Sequence, residues 1–120
     1  MSQRRRALTL LLLLAGAVIA VAAQEPARHQ LTIKAKNHQF TPARFEVAQG
    51  DIVKVTLVAE DATYSFVIDE YRIAKRMTPG KPDTFEFRAD RAGPFAYYCG
   101  LTTDAACKDM KGQMIVVAKQ

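Results

Sequence analysis

Apolar residues recur at every second position along most of this chain, in short runs closed by turn-forming residues. Leu31, Ile33 and Ala35 alternate with Thr32, Lys34 and Lys36, and Val53, Val55 and Leu57 alternate with Lys54 and Thr56. Tyr64, Phe66 and Ile68 share one face, with Ser65 and Asp69 on the other. Phe85 and Phe87 sit between Thr84, Glu86 and Arg88, Phe95 and Tyr97 precede Cys99, and Ile115 and Val117 finish the pattern. A period of two over a few residues is the mark of a half-buried strand. Gln49-Gly50-Asp51, Thr78-Pro79-Gly80-Lys81-Pro82-Asp83 and Ala92-Gly93-Pro94 supply the turns between runs. No stretch offers an amphipathic helix of useful length, although Asp104 to Lys111 has room for one turn. The pattern predicts an all-β fold, a β-sandwich of short strands, with Met77 and Met114 in its core or at its rim.

The N-terminus has a different character. Arg4, Arg5 and Arg6 precede an apolar run from Ala7 to Ala23 that ends in Ala20, Ala22 and Ala23. A basic start, an apolar centre and a small-residue end describe a secretory signal peptide. Residues 1–23 are therefore expected to be removed, with cleavage after Ala23 or, failing that, Ala22. An uncleaved anchor is the competing reading, because the run sits at the short edge of what spans a bilayer, roughly 17–25 residues. Export to the periplasm or beyond follows from the first reading. Residues 24–30 are expected to form a flexible lead, and residues 31–120 a single domain.

Charge narrows the function classes. The chain carries 17 basic and 12 acidic side chains, a net +5, and setting aside the three leader arginines leaves about +2. That excess is too small and too dispersed for nucleic-acid binding. No glycine-rich phosphate loop and no nucleophile with an orienting pair occurs, so an enzyme is not expected.

Several motifs then appear in one order. Asn37-His38-Gln39-Phe40-Thr41-Pro42, Phe45-Glu46-Val47 and Gly50-Asp51 precede Tyr64-Ser65-Phe66-Val67-Ile68. Phe85-Glu86-Phe87-Arg88-Ala89-Asp90 and Gly93-Pro94-Phe95-Ala96-Tyr97-Tyr98-Cys99 follow, then Cys107-Lys108-Asp109-Met110-Lys111-Gly112 and a last apolar strand. Taken together, from about Leu31 to Val117, this order resembles the cupredoxins and the related domain of cytochrome c oxidase subunit II. The resemblance implies a Greek-key sandwich of seven or eight strands with a copper site at one end.

A blue-copper centre takes two imidazoles and a thiolate in a plane with a distant thioether. Cys99 and Met110 match the family's cysteine and methionine. The first histidine of the family falls at Tyr64, and the second, three residues before the methionine, at Cys107. Seven residues lie between the cysteines, which departs from the spacing of the family's dinuclear variant. Both imidazoles are thus replaced, and the implied metal set is Cys99, Cys107, Met110 and Tyr64. Two thiolates and a thioether are soft donors that suit Cu(I) better than a blue-copper centre, while a phenol with an ordinary pKa near ~10 is a poor ligand. His38 matches no ligand of the family and is a surface histidine, or an extra imidazole ligand if its strand passes the site end. His29 falls in the expected lead.

Three fates for the cysteines stay open. An exported chain with two cysteines usually pairs them, and positions around one copper lie close enough to bridge. A Cys99–Cys107 disulfide is the leading expectation, and closing so short a ring constrains the unfolded chain by about 2.5 kcal/mol in the loop-entropy model. The alternatives are a Cu(I) site and a reactive thiol pair, although only Lys108 adjoins the pair to favour thiolate. The leading function is a binding or interaction module with a degenerate copper site. The alternative is a copper-binding protein, either a soft Cu(I) carrier or an electron carrier with atypical ligands. Its partner would be an unidentified protein, of the kind found in periplasmic or membrane redox or metal-uptake assemblies.

Overall fold

The computed structural model describes residues 27–119. The expected signal peptide and cleavage site lie outside them. Among the described residues there are nine strands: β1 (Arg28–Lys36), β2 (Gln39–Thr41), β3 (Arg44–Ala48), β4 (Ile52–Ala59), β5 (Tyr64–Ile68), β6 (Ile73–Met77), β7 (Asp83–Arg88), β8 (Gly93–Tyr98) and β9 (Lys111–Val117). Single 3-10 turns at Asp69–Tyr71 and Cys107–Asp109 are the helical content of the described residues. One sheet has the order β2-β1-β4-β7 and the other β3-β9-β8-β5-β6. β1 runs parallel to β4 and β3 parallel to β9, and the remaining pairs are antiparallel. The result is a β-sandwich, with more strands than the seven or eight expected. The additions are the three-residue β2 and the edge strand β6.

The alternating residues meet between the sheets. Ile33, Val53, Val55 and Leu57 come from one sheet, and Tyr64, Phe66, Ile68, Tyr97 and Met114 from the other, all buried. Met77 is buried beside them, as expected. Phe40, Phe66 and Tyr97 form the aromatic centre, with ring centroids 5.1 to 6.0 Å apart, and Phe45 stacks on Tyr97 at 5.8 Å. Each such pair contributes about 0.5–1.5 kcal/mol beyond its buried area. The Tyr97 hydroxyl donates to the Pro42 carbonyl at 2.7 Å. Burial pushes its pKa up to about 12, so it stays a neutral donor throughout the physiological range.

Two parts of the sequence reading are corrected. β1 starts at Arg28, so His29 and Gln30 belong to a strand and not to a flexible lead. His29 Nε2 lies 2.7 Å from Asp51 Oδ2, and the same carboxylate accepts the Ala48 N–H at 2.9 Å. That pairing fastens the start of β1 to the turn at Gly50, whose φ of +91° favours glycine. In β9 the inward residues are Met114 and Val116, whereas Ile115 is half-buried and Val117 is 51% exposed. Pairing with β8 sets this phase, with Met114 opposite Phe95 and Gly112 opposite Tyr97. A shift of one residue reverses every face of a strand, and an apolar Met-Ile-Val-Val run carries no alternation to fix it.

Gly112 is where β9 meets the aromatic centre. A Cβ built there would clash with the Cε2 and Cζ atoms of the Tyr97 ring and lie 2.6 Å from its hydroxyl. The strand can lie against Tyr97 only because this residue has no side chain. Gly112→Ala should therefore cost about 3 kcal/mol, the upper end for overpacking a core, as read by denaturant unfolding. Gly80→Ala is the comparison for backbone strain without overpacking, since Gly80 has φ +75° and nothing lies within 4 Å of its Cβ position.

Candidate functional site

Four chain segments converge at one end of the sandwich. The β1–β2 hairpin turns through Asn37 and His38, both at positive φ (52° and 58°), the geometry of a tight two-residue hairpin. β5 begins at Tyr64, β8 ends at Tyr98, and the loop from Cys99 to Met110 leads into β9. Tyr64, Cys99, Cys107 and Met110 are all buried here, between 0% and 2% exposed. The four positions aligned with the family's ligands are thus brought to one place.

Cys99 and Cys107 form a disulfide with Cα atoms 5.2 Å apart. The loop around it is tied by the Cys99 N–H to the Met110 carbonyl (3.2 Å) and the Met110 N–H to the Cys107 carbonyl (3.0 Å). Each sulfur accepts a backbone hydrogen bond. Ser65 N–H donates to Cys99 Sγ at 3.3 Å, and Leu101 N–H to Cys107 Sγ at 3.2 Å. The Ser65 hydroxyl oxygen accepts the Gly100 N–H at 2.6 Å and sits 3.8 Å from Cys99 Sγ. A cleft of about 490 Å³ opens beside the bridge, lined by Tyr98, Cys99, Leu101, Asp104 and Lys108 among others.

Tyr64, which the resemblance aligns with the family's first histidine, has its hydroxyl committed to hydrogen bonds within the protein. It donates to Asp61 Oδ1 at 2.7 Å and accepts the His38 N–H at 3.3 Å. Burial, and then the bond to Asp61, raise the Tyr64 pKa above the ordinary tyrosine value. The same bond from Tyr64 is the main cause holding the Asp61 carboxyl below its ordinary value, assisted by the Asn37 N–H at 2.9 Å. His38 does reach the site end, its ring edge-on to Tyr64 at a centroid distance of 5.5 Å. Its Nε2 is paired with Asp104 Oδ2 at 2.8 Å, and that bond lowers the Asp104 pKa. Asp61 and Asp104 were missed as site residues in the sequence. A buried tyrosine needs a hydroxyl partner, but nothing in the sequence says which carboxylate supplies it.

These side chains do not fit a copper ion as arranged. Both sulfurs share a covalent bond, so neither is a thiolate, and Met110 alone is left of the matched donors. The His38 imidazole and the Tyr64 phenol each have carboxylate partners. Among the described residues no group of three or more His, Cys, Asp and Glu side chains is placed to hold a metal.

The profile of the cupredoxin-like domain family matches residues 8–116. The chain belongs to that family. It is 32% identical over 81 residues to the nitrous-oxide reductase of Stutzerimonas stutzeri, covering 64% of this chain and 13% of the reductase. The chain thus spans about an eighth of that relative's length. Among solved structures it is similar to auracyanin A, a "blue" copper protein of Chloroflexus aurantiacus (TM-score 0.65, 14% identity, 75% of this chain and 99% of that one). It is also similar to the metal-binding domain of a Cu(I)-exporting P-type ATPase, CopA of Streptococcus pneumoniae (TM-score 0.64, 19% identity, 80% and 92% covered). Cupredoxin membership and the sandwich fold are thereby established, along with the existence of copper-binding relatives.

The Tyr64–Asp61 bond has a testable acid dependence. A carboxyl held below its ordinary value near 3.8 stabilises the fold fully above that value. The contribution is lost as pH falls through the folded value. Tyr64→Phe should lower the thermal midpoint by a few degrees at pH 7 and by progressively less as the pH falls through the lowered Asp61 value and its carboxylate is protonated. Melting curves of both proteins across this range check the convergence.

Proposed function

We propose that this chain is an exported, non-enzymatic cupredoxin-like interaction module in which a disulfide and a tyrosine–carboxylate pair occupy the place of a copper centre. The observation that carries this reading is the Cys99–Cys107 bond at the two positions aligned with the family's cysteine and second histidine. The Tyr64–Asp61 hydrogen bond at the first histidine position supports it. Copper-dependent electron transfer needs ligands that serve both oxidation states, and a disulfide supplies no anionic sulfur. The nitrous-oxide reductase activity of the matched relatives is not carried over, because the likeness covers a small part of them. The partner is taken to be a protein of the periplasm or its membranes, in keeping with the N-terminal signal pattern.

A Cu(I) carrier is the second reading, favoured by the burial of Met110 beside both cysteines. It requires the bridge to be open. Elemental analysis of protein recovered from an oxidising compartment separates the two. The interaction-module reading expects no stoichiometric copper and no intense visible absorption. One tightly held copper per chain would favour the carrier instead.

The correspondence of positions has its own test. Tyr64→His combined with Cys107→His frees the Cys99 thiol and restores two imidazoles. The double variant should acquire a coloured Cu(II) site on titration with copper, monitored by visible absorption. A folded double variant that stays colourless would contradict the assignment of Tyr64 and Cys107 to the ligand positions.

A further inference from the structure

We propose that the Cys99–Cys107 bond is a working redox couple, reduced while the domain stays folded by a dithiol-bearing protein through thiol–disulfide exchange. The inference rests on the bridge in the proposed function and goes beyond its role as a staple. It starts from the donors aimed at the two sulfurs. Ser65 N–H points at Cys99 Sγ (3.3 Å) and Leu101 N–H at Cys107 Sγ (3.2 Å). A disulfide sulfur is a weak acceptor and gains little from them. A thiolate gains much more, because a hydrogen bond to an ionised sulfur is charge-assisted and favours the charged form. The donors are also held in place. Ser65 lies in β5, and its hydroxyl oxygen grips the Gly100 N–H at 2.6 Å. The polypeptide is thus organised around the reduced pair more favourably than around the oxidised one, and stabilising the reduced form makes a disulfide easier to reduce.

Both cysteines are buried, Cys99 at 2% and Cys107 at 0% exposure, but Cys99 lines the cleft of about 490 Å³ and Cys107 does not. The incoming thiolate therefore bonds to Cys99 Sγ. The Cys99–Cys107 bond breaks, and its electron pair leaves on Cys107 Sγ beside the Leu101 N–H, with Lys108 next in sequence. The donor's second thiol loses its proton and attacks the mixed disulfide, releasing the Cys99 thiolate. The donor departs as a disulfide. Two electrons pass to this chain, and the donor's two protons go to Cys99 and Cys107 or to water according to their thiol pKa values.

The loop does not need the bridge to keep its path. Cys99 N–H to Met110 carbonyl, Met110 N–H to Cys107 carbonyl and Cys107 N–H to Asp104 carbonyl (3.2, 3.0 and 3.1 Å) hold it from within. The β8–β9 ladder, paired from Gly93–Val116 to Tyr98–Lys111, anchors both of its ends. Opening the bond is thus separable from unfolding.

The test uses the native protein and dithiothreitol without denaturant, with thiols titrated before and after and β-sheet circular dichroism recorded throughout. No thiol is expected before the reductant and two after it, with the spectrum unchanged, and oxidised glutathione should return the count to zero. Thiols that appear only in denaturant, or together with loss of the β signal, would overturn the redox role and leave the bridge as a staple. Two thiols before any reductant would overturn the bridge itself, and the proposed function with it. Leu101→Pro removes the donor to Cys107 and should lower the ratio of dithiol to disulfide about tenfold in a fixed glutathione buffer. An unchanged ratio contradicts the part assigned to that donor. Should that variant not fold, thiolate absorbance of the reduced parent decides: one thiol titrating below ~8.5 is expected, and both at or above it would contradict the proposal.

Discussion

The covalent bond between Cys99 and Cys107 governs what this end of the sandwich can do. It joins the exit of β8 to the single 3-10 turn before β9, across the loop where the family places its ligands. Sulfur bonded to sulfur carries no negative charge and lacks the donor strength that a thiolate offers a metal. Met110 lies buried beside the bridge, and backbone N–H groups approach both sulfurs.

Around Tyr64, the residue that the family resemblance aligns with a ligand histidine, the side chains form a polar network. Tyr64 is wholly buried, and at the hairpin its hydroxyl donates to Asp61 and accepts the His38 N–H. Asp61 also caps Asn37, and His38 reaches across to Asp104 in the cysteine loop. The β1–β2 hairpin, the start of β5 and the cysteine loop are thereby linked by hydrogen bonds. A phenol can do this because it combines an apolar body with a single polar tip.

Most of the sandwich was legible from alternation alone. The inward faces of β1, β4, β5 and β8 follow the period of two, and the disulfide and the burial of Met77 and Met114 agree with expectation. The misses have physical causes. β6 escaped because Ala74, Lys75 and Arg76 separate its two buried ends, the pattern of a charged edge strand. The phase of β9 depends on its register with β8, which a uniformly apolar run does not encode. His29 was assigned to a lead because its partner, Asp51, lies more than twenty residues away. The Asp61–Tyr64 and His38–Asp104 pairs are likewise products of tertiary structure. The cysteines, tyrosine and methionine of the site were visible by their order in the chain, whereas the hydrogen bonds that give them their present chemistry were not.

Whether the two sulfurs are bonded to each other in the cell is tested most directly by mass spectrometry of the intact protein, isolated under native conditions with an alkylating reagent present from lysis onward. Measured after unfolding in that reagent, the chain should be unmodified and two hydrogens lighter than its reduced form; a native spray should show no bound copper. A doubly alkylated chain, or a native species carrying one copper ion, would show instead that these sulfurs are free to serve a metal, and the disulfide would lose its place at the centre of the site.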